Sequence, residues 1–208
     1  MRNVSRTTTP RVKNGKVQRK NRTQNTELAG LLDNSRFNVI RFKPDGPYFH
    51  PVRQPEVYRF VELIPDWTQI SKGLSACVLN KDGDDVQQGA SYERSYHAIW
   101  IDPFPKSLST IWSHAFFTAH KTFVERLGAR VEFAESSSNI TIHWTESQAR
   151  AWQLLHLFLY ELKVHAEYIT LAKNRRFEHS NSVAEAYAFQ TAEIIWDPYE
   201  SEFGSVFD

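Results

Sequence analysis

Residues Leu154–Tyr168 read LLHLFLYELKVHAEY, an apolar run that turns polar at Glu161. Just upstream, Thr145-Glu-Ser-Gln148 has the spacing of a capping box, with a hydroxyl three residues before a side-chain amide. A helix is therefore expected to start at Thr145 and run to about Tyr168. At about 100° per residue, Tyr160 sits about 40° round from His156 and Val164 about 80°, so these three stack along one face. Glu161 and His165, at roughly 140° and 180°, share an adjoining face. His156 and His165 lie on opposite sides of a regular helix and cannot reach one ion.

The chemistry to weigh on such a helix is that of H-E-x-x-H. Two imidazoles one turn apart reach a single tetrahedral zinc ion, and the Glu beside the first polarises the bound water. With Glu161 set as that Glu, the two histidine positions are held by Tyr160 and Val164. A valine has no lone pair, so the second ligand is gone. From the residues alone, the stretch reads as an amphipathic helix with a satisfied His156 and a solvated Glu161/His165 pair.

The same residues carry a family likeness. LLHLFLYELKVHAE resembles the L-L-H-x-x-L-H-E-L-G-H-H-x-D helix of uncharacterised bacterial proteins with a zincin-type H-E-x-x-H site. Ala184–Trp196, AEAYAFQTAEIIW, resembles their next helix, which supplies a Glu in an E-x-[YF]-A context. SRFNVIRF and GASYERSYHAIWID stand where that family has strands, and the likeness runs from about Thr26 to Phe203. Repressor-cleaving peptidases of the ImmA/IrrE type share the Glu-donating second helix at motif level.

The resemblance implies an α+β, zincin-like metallopeptidase fold, a mixed β-sheet packed against helices with the two site helices antiparallel. It implies that Glu161 is a vestigial general base and Glu185 the third metal ligand. Tyr160 and Val164 stand at the vestigial ligand positions, Lys163 replaces a Gly and Glu167 an Asp. His156 falls one turn before the motif and His165 just after it. The expected role is a non-catalytic homologue with a degenerate zinc site, holding a peptide or protein partner in the former substrate cleft, and no cofactor is expected. The alternative is an active divergent zinc metallohydrolase using Glu161, His165 and Glu185. A third alternative, from another class, is a nucleic-acid-associated protein.

That third reading comes from charge. Residues 1–25 hold eight of the 25 Lys/Arg residues and no acid; the remaining 17 basic residues face 24 acidic ones, a net of −7. Residues 1–25 are expected to be a disordered basic tail making weak contact with nucleic acid through counterion release, and residues 26–208 one domain. A single Cys, Cys77, forbids an internal disulfide, and neither a signal peptide nor a membrane-spanning run is legible, so the cytoplasm is the expected location. Cys77 itself reads as a buried core thiol.

Elsewhere the patterns are ordinary. FNVIRF, GLSACVLN, YHAIWID, RVEF and NITIHW read as strands, and PEVYRFVELI as a short helix with Pro in its first turn. Lys106–Ala129 reads as one long amphipathic helix capped by Gly128, and the last helix as starting from a Ser182/Glu185 capping pattern. His114 and His120, six apart and so about 240° round a helix, are not a pair. No nucleotide-binding loop or nucleophile elbow is present.

Overall fold

The computed structural model describes residues 12–13, 16–17, 36–83, 89–133, 139–171 and 181–207. The chain divides into two compact units, Met1–Leu32 and Asp33–Asp208. In the first, β1 (Val12–Lys13) pairs antiparallel with β2 (Lys16–Val17). The rest of the expected disordered tail lies outside the described residues.

The second unit is α+β. β3 (Asn38–Arg41) leads through the short strand β4 (Tyr48–Phe49) to α1 (Gln54–Leu63) and α2 (Trp67–Ile70). Pro55 in the first turn of α1 has no N–H to lose, and the Glu56 carboxylate accepts the Arg53 N–H at 2.6 Å. The chain returns as β5 (Ala76–Leu79), parallel to β3. β6 (Ala90–Glu93) then turns antiparallel into β7 (Ala98–Ile101), which runs parallel to β5, giving a mixed sheet ordered β3-β5-β7-β6. Every residue of β5 (ACVL) and β7 (AIWI) is buried, which is why both read as unbroken apolar runs rather than alternating ones. Cys77 is fully buried there, and burial pushes its thiol pKa up.

β8 (Phe104–Pro105) pairs with β4, and a second sheet follows. β9 (Ser109–Ser113) pairs antiparallel with β11 (Asn139–His143), and β11 with β10 (Arg130–Phe133), confirming the expected strand pair. Here the structure corrects the single long helix expected over Lys106–Ala129. Ser109–Ser113 is β9, and only α3 (His114–Arg126) is helical. Thr110 and Trp112 point inward while Ile111 is exposed, a period of two that β-branched and aromatic residues favour. Ser113 ends the strand and caps the helix, its hydroxyl accepting the Phe116 N–H at 3.2 Å. Gly128 closes α3 at φ 71°, and a Cβ there would meet the Phe207 ring at 3.2 Å.

The helix of the opening stretch starts at Thr145 as expected, with Thr145 and Gln148 exchanging capping hydrogen bonds. It is not uniform. α4 (Glu146–Ala151) passes into a π-helical segment, Trp152–Phe158, whose seven residues are all buried, and then into α5 (Leu159–Leu171). α6 (Asn181–Phe203) already includes Ser182 as a helical residue, so the Ser182 cap expected from sequence is corrected; the Glu185 carboxylate is turned instead toward two imidazoles. The last helix also continues through Pro198.

Paired contacts fix the direction of the two long helices. Arg150 Nη1 donates to the Phe203 carbonyl at 3.3 Å, His156 faces Glu185, and Tyr160 Oη donates to Asn181 Oδ1 at 3.1 Å. Rising numbers on one helix meet falling numbers on the other, so they are antiparallel. The core between sheets and helices is aromatic: Phe60 packs edge-on to Phe158 and Tyr199, and Trp112, Trp144 and Trp152 meet at ring-centroid distances of 5.2–5.8 Å. Among the described residues no helix is long and apolar enough to cross a membrane.

Candidate metal centre

Three side chains from three elements converge in the second unit. His120 comes from α3, His156 from the π-helical segment and Glu185 from α6, and each offers one ligand atom within 4.8 Å of the others. His156 Nε2 lies 3.1 Å from His120 Nδ1, His120 Nδ1 lies 3.3 Å from Glu185 Oε1, and His156 Nε2 lies 3.7 Å from Glu185 Oε2. A tetrahedral ion with N and O bonds of about 2.0–2.2 Å holds its donor atoms roughly 3.3–3.6 Å apart. The His156–His120 and His120–Glu185 separations lie near that edge length, while the 3.7 Å from His156 runs to the other carboxylate oxygen.

The surroundings favour lone pairs over protons at this point. His156 is 1% exposed, and burial, reinforced by neighbouring His120, holds its imidazole pKa well below the ordinary 6.5. It is a neutral donor at pH 7, the form a metal requires. The ring is stacked on Trp152 at 4.3 Å and 27°, with Phe123 at 4.9 Å, while His120 lies edge-on to Phe116 at 4.4 Å. These contacts hold both rings in an aromatic surround. Glu185, whose side chain is 33% exposed, also lines a groove between α3 and α6 that touches neither histidine.

His156 lies in the π-helical segment, a kind of segment that recurs at functional sites. His156 meets Glu185 and, one turn on, Tyr160 meets Asn181 of the same helix, so the two share the face that helical spacing gives them. Burial and the carboxylates of Glu161 and Glu185 push the Tyr160 pKa up to about 12, so its phenol stays protonated. Val164 is buried, and Lys163 pairs with Glu167 at 3.8 Å along the helix.

The set of Glu161, His165 and Glu185, required for the divergent hydrolase, is not brought together. Glu161 and His165 turn to β6 and its neighbours, away from Glu185. The Tyr92 backbone N–H donates to Glu161, and burial nevertheless raises that carboxyl to about 7. His165 Nε2–H donates to the Lys72 carbonyl at 3.2 Å, its ring lies edge-on to Tyr92 at 5.1 Å, and burial lowers its pKa to about 4. The adjoining face that carries them packs on the sheet, so the Glu161/His165 pair expected in solvent is buried instead. Of the residues singled out from sequence, Glu185 and His156 belong to the cluster. Helical spacing misses His120 because it compares that residue only with His114 on its own helix, and its partner lies 36 residues away on another.

The fold and this cluster together define an α+β protein with a two-histidine, one-carboxylate constellation at a helix junction. Comparison with known proteins adds no family to that description: no family model, no curated protein and no solved structure matches the chain.

Proposed function

We propose that this chain is a zinc-binding protein whose ion is held by His120, His156 and Glu185, and that it binds rather than hydrolyses. The observation that carries the reading is the convergence of two imidazoles and one carboxylate from three elements, one ligand atom of each lying within 4.8 Å of the others. Two imidazoles and a carboxylate suit zinc and other borderline divalent metals rather than calcium or magnesium, which take oxygen-rich shells. Placing His156 as the first ligand shifts the motif frame four residues toward the N-terminus. In that frame Leu157 stands where a peptidase carries its general base. Glu161 cannot replace it, because its carboxyl is buried under Tyr92 on the sheet side. The likeness to zincin-type proteins thus fits a homologue that kept a metal and lost the base.

The test is elemental analysis and calorimetric zinc titration of the full chain. One zinc per chain is expected, with His120→Ala and Glu185→Gln each weakening binding at least about 100-fold, the loss of one of three protein ligands. Glu161→Gln and His165→Ala should leave it unchanged. Cobalt or copper in the same site should quench tryptophan emission, because Trp152 stacks directly on His156. A wild type that takes up no zinc, or His120→Ala that binds it as well as wild type, refutes the assignment.

A further inference from the structure

A chain of hydrogen bonds separate from the metal centre crosses the strands of the second sheet. Ser109 opens β9 and lies directly opposite His143 at the end of β11. Glu132 on β10 is diagonal to that histidine, so the three residues share one sheet face. Ser109 Oγ lies 3.0 Å from His143 Nδ1, and His143 Nε2 lies 3.1 Å from Glu132 Oε2. We propose that Ser109 is a nucleophile with His143 as its general base and Glu132 as the residue that orients the imidazole, and that it takes the acyl group of small activated esters. The site shares no residue with the metal centre and does not depend on an ion.

The partners fix the direction of the proton. A carboxylate only accepts, so Nε2 carries the hydrogen and Nδ1 keeps the lone pair that the serine hydroxyl needs. The Ser107 carbonyl, 3.4 Å from the same hydroxyl, is the more distant acceptor. Leu108, immediately before Ser109, is held at φ 52°, a costly left-handed conformation for a bulky residue, and its N–H closes a tight turn onto the Pro105 carbonyl at 2.9 Å. The Trp144 N–H donates to the Leu108 carbonyl at 2.8 Å, so those two residues form a hydrogen-bonded pair. Alternation then makes Ser109 and His143 a non-hydrogen-bonded pair, the kind whose side chains stand closer together. It also turns the Ser109 N–H away from β11, as a donor for an oxyanion. Ser109 and His143 are partly exposed and Glu132 is exposed, so the site is open to small reagents. In the first step Oγ bonds to the carbonyl carbon as its proton passes to His143 Nδ1, and the alcohol or phenol leaves with that proton. Water then attacks the acyl-serine by the same route, releasing the acid and restoring the hydroxyl.

The test is reaction of the full chain with a fluorophosphonate, which phosphonylates an activated serine with loss of fluoride, followed by peptide mapping. The adduct is expected on Ser109, at the same rate with and without a zinc chelator. It is located in the wild-type chain, so the result does not depend on a variant folding. His143→Ala should slow its formation at least about tenfold, below the usual worth of a general base because the site is open. Glu132→Ala should slow it by up to about fivefold, the worth of an exposed ion pair, and added formate should restore the rate, which a merely structural role would not allow. Wild type should hydrolyse para-nitrophenyl acetate faster than Ser109→Ala does. No adduct on Ser109, labelling that requires zinc, or labelling of His143→Ala at the wild-type rate overturns the proposal; formate without effect overturns the role given to Glu132.

Discussion

Glu161→Gln tests the packing that separates this carboxyl from the metal centre. The wild-type carboxyl is 9% exposed, and burial raises its pKa from the ordinary 4.5 to about 7, against the opposing hydrogen bond from Tyr92. The folded chain therefore holds a proton that the unfolded chain has released, across the window from about pH 4.5 to 7. Stability must fall as pH rises through that window, by 1.36 kcal/mol per pH unit, or about 3 kcal/mol in all. The amide that the substitution introduces has nearly the same shape and no charge to release. His50 and His165, lowered to about 4, and His156, also lowered, work in the opposite sense, adding stability as pH rises toward 6.5. They titrate in wild type and variant alike, so the difference between the two proteins isolates residue 161. Urea unfolding followed by tryptophan emission at pH 5 and pH 8 should show the variant gaining about 2.5 kcal/mol on the wild type between those two pH values. In a domain of this size that is roughly 5–10 °C in Tm. A wild-type-minus-variant difference that stays constant with pH would mean that Glu161 ionises normally. The helix face would then not be packed on the sheet, and the orientation that directs His156 to the metal centre would be wrong.

Ser113→Ala should cost about 1 kcal/mol, the usual value of a hydroxyl N-cap, and lower Tm by roughly 2–4 °C; unchanged thermal melting would mean that α3 does not begin at Ser113. The basic segment 1–25 should give weak, sequence-independent nucleic-acid binding that fades steeply between low and physiological salt. Mobility shifts that are absent at low salt, or that survive deletion of residues 1–25, would remove nucleic acid from the account.

Local chemistry was legible wherever it is carried by neighbouring residues. The capping pair Thr145/Gln148, the buried runs ACVL and AIWI, the strands RVEF and NITIH, the Gly128 stop and the buried Cys77 all follow from side chains acting within a few positions. The misreading at Lys106–Ala129 came from the same locality. Apolar spacing in STIWSHAFF is compatible with either period, and only pairing with Asn139–His143 makes Ser109–Ser113 a strand.

The amino-acid sequence by itself determined that Leu154–Tyr168 is a helix, and that Glu185 sits on a following helix; it placed Glu161 and His165 in solvent, whereas packing on the sheet buries both. Which imidazole meets that carboxylate was decided by the tertiary structure. His120 and Glu185 are 65 residues apart, and His120 and His156 are 36 apart, on three separate elements. No periodicity within one helix records such distances. The face that His156 shares with Tyr160 could be counted along the helix, but not the element that this face meets. Helix formation depends on hydrogen bonds four or five residues long, whereas the His120/His156/Glu185 cluster depends on how three finished elements pack around Trp112 and Trp152.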